Sequence, residues 1–331
     1  MCGMREFDPD APKVPLRFAR DLSSAVERRA ERAVVAGDAV RVRAGVFATS
    51  DAWDTSSAER FRARIRAAVR TRRRGDVTLG FEAAAIAHGL PRLGRWPEHV
   101  SLIDLAGTRP PSRRGIRWHQ SALESEDVVE MRGILITSRV RTLLDIARVR
   151  DLAGAVIALD HALHTAPDPA GLHRDLLARL GTLGSLRGIR AAREAVVFAD
   201  GRAESPGESL SRVRMHELGF LIPEIQVPMP RPDGPADVVD FDWAELGTFG
   251  EMDGEGKYLR DEYTRGRDAA TVVAEEKRRE DRIRRRHRPF CLRWGWNDAL
   301  HPEGLAAILA EGRIPRVRRP STSSISDRFA A

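Results

Sequence analysis

Three acidic side chains in one part of the chain are spaced so that they could hold a divalent cation. Asp240 lies in a short apolar run, and Glu251 and Asp253 lie in a second run that leads into a glycine turn. Positions i and i+2 of a strand share a face, so Glu251 and Asp253 can point the same way. If the two runs are hairpin neighbours, the three carboxylates converge and repel one another. Mg²⁺ or Mn²⁺, which take oxygen ligands, would relieve that repulsion and could activate a water.

Lysine is rare in this chain, and one lysine follows these acids closely. Only three of the 55 Lys and Arg residues are lysines, namely Lys13, Lys257 and Lys277. Lysine is a compact charge with a tunable pKa, whereas arginine is a wide fork that stays protonated. Lys257 is therefore a candidate for positioning or deprotonating a metal-activated water. Lys277 is a second-tier candidate, because a charge paired with Asp281 on a helix surface explains it adequately.

Two further acids belong to the same candidate catalytic group. Glu208 falls near the start of a helix that Ser205 and Pro206 open, so it either supports the site or closes a capping box. Glu255 forms a Glu-x-Lys with Lys257 beyond the glycine turn and is second-tier. The simpler alternative for Glu251 and Asp253 is an exposed hairpin, because Asp-Gly is also a turn signal.

The basic residues suggest a polyanionic partner. The net charge is +7, and arginines crowd into three segments, around residues 60–74, 278–288 and 313–319. Each cluster alone could be a solvated helix face, but three together favour nucleic acid, with DNA as the expected partner. The candidate nucleic-acid contacts are Arg41, Arg43, Arg62, Arg66, Arg70, Arg73, Arg278 and Arg282.

The composition also excludes several classes of protein. Two cysteines cannot build a disulfide framework, which is typical of a protein from a reducing cytoplasm. No apolar run approaches the roughly 18 residues of a membrane span, and the first residues lack the apolar core of a signal peptide. We therefore expect a cytoplasmic protein without a membrane partner.

The pattern along the chain predicts a mixed α/β protein, α+β overall, with several domains. A helix over residues 18–35, followed by two short strands that end at Phe47, is typical of the closing half of a winged helix or of any small helix–hairpin unit. The glycine- and proline-rich run from Asp200 to Gly207 marks the main boundary. The predicted divisions are a winged-helix-like head at 1–75 with a basic helix, an α+β domain at 76–165, a helical connector at 166–200, a domain at 201–312 ordered αββαβα, and a disordered basic and Ser-rich tail at 313–331.

The C-terminal pattern resembles the PD-(D/E)XK restriction-endonuclease-like superfamily. The residues that carry the resemblance are Glu208, the pair Asp240-Phe241 and the run Glu251-Met252-Asp253-Gly254-Glu255-Gly256-Lys257. The branch related to very-short-patch-repair endonucleases has a histidine where Lys257 stands here. The resemblance implies a nuclease fold in which Asp240, Glu251 and Asp253 bind Mg²⁺ or Mn²⁺, Glu208 supports them and Lys257 is the basic group.

The N-terminal two-thirds is similar to AbiEi-type antitoxins of abortive-infection, type IV toxin–antitoxin systems in actinobacteria. The similarity is carried by the runs Val40 to Phe47 and Ala83 to Pro91. It implies a winged-helix head that binds DNA and represses its own transcription, with a toxin or another defence protein as a possible partner. Two functions therefore stay open: a metal-dependent endonuclease in defence or DNA repair, and a non-catalytic regulator in which the nuclease fold is a relic.

Overall fold

The computed structural model describes residues 13–71, 77–105, 107, 111–112, 115–184, 186–253 and 269–317, apart from the side chains of 269–276. The protein has an α/β fold, with helices and sheets in both of its compact units. The first unit extends to Phe198, and the second begins at Ala199 and also takes in Leu163–Thr165. This division lies beside the glycine- and proline-rich run. None of the helices in the described ranges is long and apolar enough to cross a bilayer.

The first unit contains two sheets. Its strands are β1 Arg17–Phe18, β2 Ala39–Arg43, β3 Val46–Thr49, β4 Thr78–Leu79, β5 Val100–Ile103, β6 Ile116–His119, β7 Val128–Met131 and β8 Ile134–Thr137. The sheet orders are β1-β3-β2 and β6-β5-β4-β8-β7. The helices that begin in this unit are α1 Ser24–Ala36, α2 Ser50–Trp53, α3 Ser57–Arg70, α4 Phe81–Ala87, α5 Arg139–Ala147, α6 Leu152–His164, α7 Pro169–Thr182 and α8 Ile189–Phe198.

Helix α3 explains why the predicted division at residue 75 does not separate two compact bodies. Phe61 and Ile65 pack into the core of the five-stranded sheet, with Leu79. Ala63 packs with Ala48 of the three-stranded sheet, on another side of the same helix. The residues predicted as a head, a middle domain and a connector therefore form one unit, because a single helix is buried between both sheets.

The second unit is built on one four-stranded sheet. Its elements are α9 Pro206–Leu218, β9 Glu224–Met229, β10 Asp237–Trp243, β11 Thr248–Asp253, α10 Ala269–Arg286, β12 Phe290–Gly295, α11 Trp296–Leu300 and α12 Pro302–Glu311. The sheet order is β12-β11-β10-β9. Strands β9, β10 and β11 pair antiparallel, and β12 pairs parallel to β11. The strands that carry Asp240 and Glu251 are thus antiparallel neighbours, which was the condition for their carboxylates to converge.

The predicted order αββαβα missed strand β9. Its sequence, Glu-Ile-Gln-Val-Pro-Met, contains Pro228 and is followed by Pro230, a composition that indicates a loop. Proline cannot donate to a strand ladder, so it is tolerated mainly at the edge of a sheet. Strand β9 is such an edge strand. The correct order in the second unit is therefore αβββαβ followed by two helices.

The predicted disordered tail begins too early. Ile314 is buried, and the amide of Val317 donates to the carbonyl of Gly219 at 2.8 Å. Arg316 lies over the ring of Phe220 at 4.6 Å. The rest of the predicted tail, from 318 onward, and the first 12 residues of the predicted head lie outside the described residues.

Two glycines allow close packing on β11, the strand that carries Glu251 and Asp253. A Cβ on Gly207 of α9 would lie 2.4 Å from the Met252 methyl carbon, so a larger residue there would require the Met252 side chain to shift. A Cβ on Gly250 would meet the Trp294 ring at 2.6 Å. Trp294 is fully buried, and its indole N–H donates to Ser211 Oγ at 2.8 Å, which ties β12 to α9.

We predict that Gly250→Ala destabilises the second unit by about 1–3 kcal/mol, because the added methyl overpacks a rigid aromatic contact. Gly295→Ala is the matched control, since its Cβ would approach only Asp298, at 3.8 Å. Calorimetric unfolding of both variants tests this prediction. Equal transition temperatures for the two variants would show that the Trp294 contact does not limit this position.

Candidate functional site

Strand β10 is kinked at Asp240. Val239 belongs to the same apolar cluster as Ile283 of α10. Phe241, two residues later, packs against Trp294 with ring centroids 5.0 Å apart, on the side of the sheet that α9 covers. Residues i and i+2 of a regular strand share a face, so the alternation of faces is broken between these two positions, and we call this irregularity the kink.

Pairing is interrupted on both sides of the kink. Within the described strands, the ladder between β10 and β11 starts only at Phe241 and Gly250, and Asp240 has no register partner in β9. The Asp240 carboxylate takes the place of a backbone acceptor, because its Oδ2 accepts from the amide of Met252 at 2.8 Å. The opposite residue, Gln226, has φ of +52°, which is rare for a residue other than glycine. Such strain concentrates at functional sites.

Glu251 is a buried carboxylate beside this kink. The residue is only 4% exposed, and its Oε2 lies 2.8 Å from a guanidinium nitrogen of Arg279. Its Oε1 is buried and finds no hydrogen-bond partner within the described residues. Burial and, after it, the charge of Asp240 raise the pKa of Glu251 to about 7, although Arg279 and Arg293 lower it. We call Asp240 and Glu251 together the carboxylate site.

Glu208 borders the carboxylate site but is occupied by local bonds. Its Oε1 accepts from the Ser205 hydroxyl at 2.7 Å, and its Oε2 accepts from the Glu204 amide at 3.0 Å and from Gln226 Nε2 at 2.8 Å. Burial and the nearby charge of Asp240 raise the pKa of Glu208. The capping interpretation therefore accounts for most of its bonds. Its contact with Gln226 also holds the strained residue opposite Asp240.

Asp253 faces a different set of charges. Its Oδ1 lies 3.1 Å from Arg293 Nη1, and the other guanidinium nitrogens of Arg293 contact Glu280 of α10 at 3.2 Å. The Asp253 side chain is 42% exposed, whereas that of Glu251 is 6% exposed. The two acids of the Glu-x-Asp run thus differ: one is buried against Arg279 and the other is a half-exposed partner of Arg293.

The donors at the carboxylate site suit a hard divalent cation that brings other ligands with it. Within the described part of the chain, no group of three or more His, Cys, Asp and Glu side chains is placed to hold a metal. The predicted three-carboxylate cluster of Asp240, Glu251 and Asp253 is therefore not preformed. Magnesium, however, is often bound by one or two carboxylates plus waters and substrate phosphates. Glu251 Oε1, which has no partner in the part of the chain that the structure describes, lies beside Asp240 and fits that kind of site.

Of the two lysines predicted as catalytic candidates, the structure describes only Lys277. Lys257 and the second-tier Glu255 lie outside the described residues. Lys277 is exposed on α10. Among the contacts of the described residues, Lys277 forms no ion pair with Asp281. Pairing with Asp281 therefore does not explain this lysine.

The arginines of α3 are engaged within the protein. Arg62 pairs with Glu59 at 3.1 Å, and Arg66 donates to the Val14 carbonyl at 2.6 Å. Arg70 contacts Asp21 at 3.2 Å, and Arg73 lies outside the described residues. The buried residues of α3 occupy mostly alternate positions between these arginines, so the helix is enclosed and its basic side chains bridge to neighbouring segments.

Of the other arginines predicted to contact nucleic acid, some have partners within the protein and one is exposed. Arg41 lies 3.5 Å from Glu31 of α1, and Arg43 has contacts of its own. Two guanidinium nitrogens of Arg282 donate hydrogen bonds to the carboxylate of Asp237 in β10, at 2.9 and 3.2 Å. Arg278, by contrast, is exposed, with no partner in the described part of the chain.

Sequence reasoning missed three groups of functional candidates. Gln226 lies in β9, which the sequence pattern did not predict because prolines in and after this strand indicate a loop. Arg279 and Arg293, which contact Glu251 and Asp253, looked like members of a general arginine excess. Helix α1 has no buried residue and exposes Arg28, Arg29 and Arg32, none with an ion-pair partner in the described ranges. The spacing of Arg28 and Arg32, one helical turn apart, was the signal available for α1.

Comparison with known proteins gives relatives without a stated activity. No family model matches the chain. Two curated proteins from two strains of Mycobacterium tuberculosis, named uncharacterized protein Rv2248 and uncharacterized protein MT2308, are each 31% identical to it over 168 residues. The match covers 49% of this chain and 60% of each relative. The chain thus spans less than two-thirds of these relatives' length, and their names assign no activity.

We predict that ionisation of Glu251 destabilises the protein as the pH rises from about 4.5 to 7. The folded protein binds this proton more tightly than the unfolded chain, so the stabilisation is complete at low pH and lost through the folded pKa of about 7. The full loss is on the order of 2–3 kcal/mol. Glu251→Gln removes it, so the transition temperature of the variant should fall less between pH 5 and pH 8 than that of wild type.

Differential scanning calorimetry across that pH range measures the difference. Glu245→Gln, at an exposed glutamate of the same unit, should follow wild type. Parallel pH profiles for wild type and Glu251→Gln would contradict the assignment.

Proposed function

We propose that the second unit is a Mg²⁺- or Mn²⁺-dependent endonuclease domain that hydrolyses phosphodiester bonds in DNA, in a cytoplasmic defence or repair protein. One observation carries the proposal. A carboxylate, one of whose oxygens has no partner among the described residues, is buried beside a second carboxylate at a kink in the sheet. Burying charge this way costs stability unless a ligand or function compensates. The antiparallel β9-β10-β11 sheet, joined through α10 to the parallel strand β12, agrees with the restriction-endonuclease resemblance of Glu208, Asp240 and Glu251.

Each residue has a distinct task in this proposal. Glu251 and Asp240 would hold the metal, which when bound supplies an activated water and positive charge for the phosphate. Gln226, which is bonded to Glu208 at 2.8 Å, would fix the strand opposite Asp240. Asp253 stays a candidate third ligand that must first leave Arg293. Lys257 stays the proposed basic group.

We expect the purified protein to nick or linearise supercoiled plasmid with Mg²⁺ or Mn²⁺ and not with EDTA. Asp240→Asn and Glu251→Gln should each lower the rate at least about 100-fold, because each removes a charge from a metal ligand. Glu245→Gln is the matched control, since it makes the same change at an exposed position. Cleavage that persists in Asp240→Asn, or that survives EDTA, would refute the assignment.

The alternative is a non-catalytic DNA-binding regulator of the AbiEi antitoxin kind, and helix α1 favours it. The helix leads directly into the β2–β3 hairpin, as in the closing half of a winged helix. Its exposed face carries Arg28, Arg29 and Arg32. Exposed arginines without internal partners are available to phosphates, unlike those of α3. DNA binding through α1 is compatible with either function of the second unit.

We predict that Arg28→Ala with Arg32→Ala weakens binding to duplex DNA and makes the slope of log K against log salt less steep by about two, because two phosphate contacts are lost. Fluorescence anisotropy between 50 and 200 mM salt measures both effects. Arg190→Ala with Arg193→Ala, exposed on α8 of the same unit, is the charge-matched control. Identical slopes for the two double variants would place the DNA contact elsewhere.

A further inference from the structure

The Arg279 side chain contacts both strands that carry the carboxylate site. It comes from α10, and its Nη1 donates to the carbonyl of Val238 in β10 at 2.6 Å. Its Nη2 lies 2.8 Å from Glu251 Oε2 in β11. One guanidinium thus joins both strands of the carboxylate site just beyond the end of their ladder, which stops at Phe241 and Gly250.

The neighbouring arginines are not equivalent to Arg279. Arg278 is exposed, and Arg282 contacts Asp237, away from the carboxylate site. Arg279 is the arginine of α10 that pairs with a nearly fully buried acid among the contacts of the described residues. A cation and a divalent metal cannot share the same carboxylate without strong repulsion, because both are positive and close in a poorly screened environment.

We propose that Arg279 is the resident counter-cation of the carboxylate site, competing with the divalent metal for Glu251. This inference rests on the proposed metal site. In the metal-free protein the guanidinium compensates the buried charge and bridges the split strands. When the metal binds at Oε1, its charge repels Arg279 from Oε2, and the planar fork becomes available beside the site for an anionic phosphate. Metal affinity in the absence of DNA is therefore held low by the protein itself.

The test measures Mn²⁺ binding to the full chain at pH 8, following the EPR signal of free Mn²⁺. Arg279→Gln should bind Mn²⁺ about tenfold more tightly than wild type, since a competing charge is gone. Arg278→Gln, which makes the same change in the adjacent exposed residue, should bind like wild type. Arg279→Lys, which keeps the charge, should stay close to wild type.

Thermal unfolding of the same proteins gives a second readout. Without metal, Arg279→Gln should melt at a lower temperature than wild type because the buried acid loses its partner. With 1 mM Mn²⁺, its melting temperature should rise by more than that of wild type. A scaffold residue would lower stability without enlarging the Mn²⁺-induced rise, and that result would overturn the proposal.

The experiments can refute the counter-cation proposal and the nuclease proposal independently of each other. If Arg279→Gln binds Mn²⁺ more tightly but wild type never cleaves plasmid, the counter-cation survives and the nuclease function does not. If wild type cleaves plasmid and Arg279→Gln shows unchanged or weaker Mn²⁺ binding, the counter-cation is refuted and the nuclease stands. If neither protein binds Mn²⁺, the counter-cation is refuted as well.

Discussion

The carboxylate of Glu251 is the constraint around which the second unit is arranged. A charge that is almost fully buried loses most of its hydration, and its pKa rises to about 7 as a result. Arg279 compensates one of its oxygens, while the other finds no partner in the described residues. Helix α10 has to lie where Arg279 reaches the strand, so the crossover between β11 and β12 is fixed by electrostatics as well as by apolar packing.

The opposite face of the sheet is fixed by close contact instead. Gly207 and Gly250 leave room for Met252 and Trp294, and Trp294 is bonded to Ser211 of α9. Rigid packing on that side prevents β11 from moving away from β10 as a whole. The distortion is then concentrated at Asp240 and at Gln226, whose strained backbone is held through Glu208. A tightly packed face and a charged face together produce a local break in an otherwise regular sheet.

Arginine has several different tasks in this chain, although its high frequency suggests one. In α3 it bridges a helix enclosed between two sheets to neighbouring segments. In the second unit, Arg279 and Arg293 contact Glu251 and Asp253, and Arg282 fastens α10 to the sheet. The open arginines of α1 and Arg278 differ from these only in lacking an internal partner among the described residues. Net charge alone therefore says little about which surface meets a polyanion.

The sequence by itself determined the α/β class, the boundary near residue 200, and the two strands that carry Asp240 and Glu251, because local periodicity and turn residues encode these features. It did not reveal β9, because Pro228 and Pro230 are typical of a loop. An edge strand tolerates proline, but the sequence does not show that β9 lies at an edge. Only the tertiary structure separated Glu251 from Asp253 and selected Arg279 among many arginines. Burial and ion pairing depend on contacts between residues far apart in the chain, and local sequence patterns carry no record of those distances.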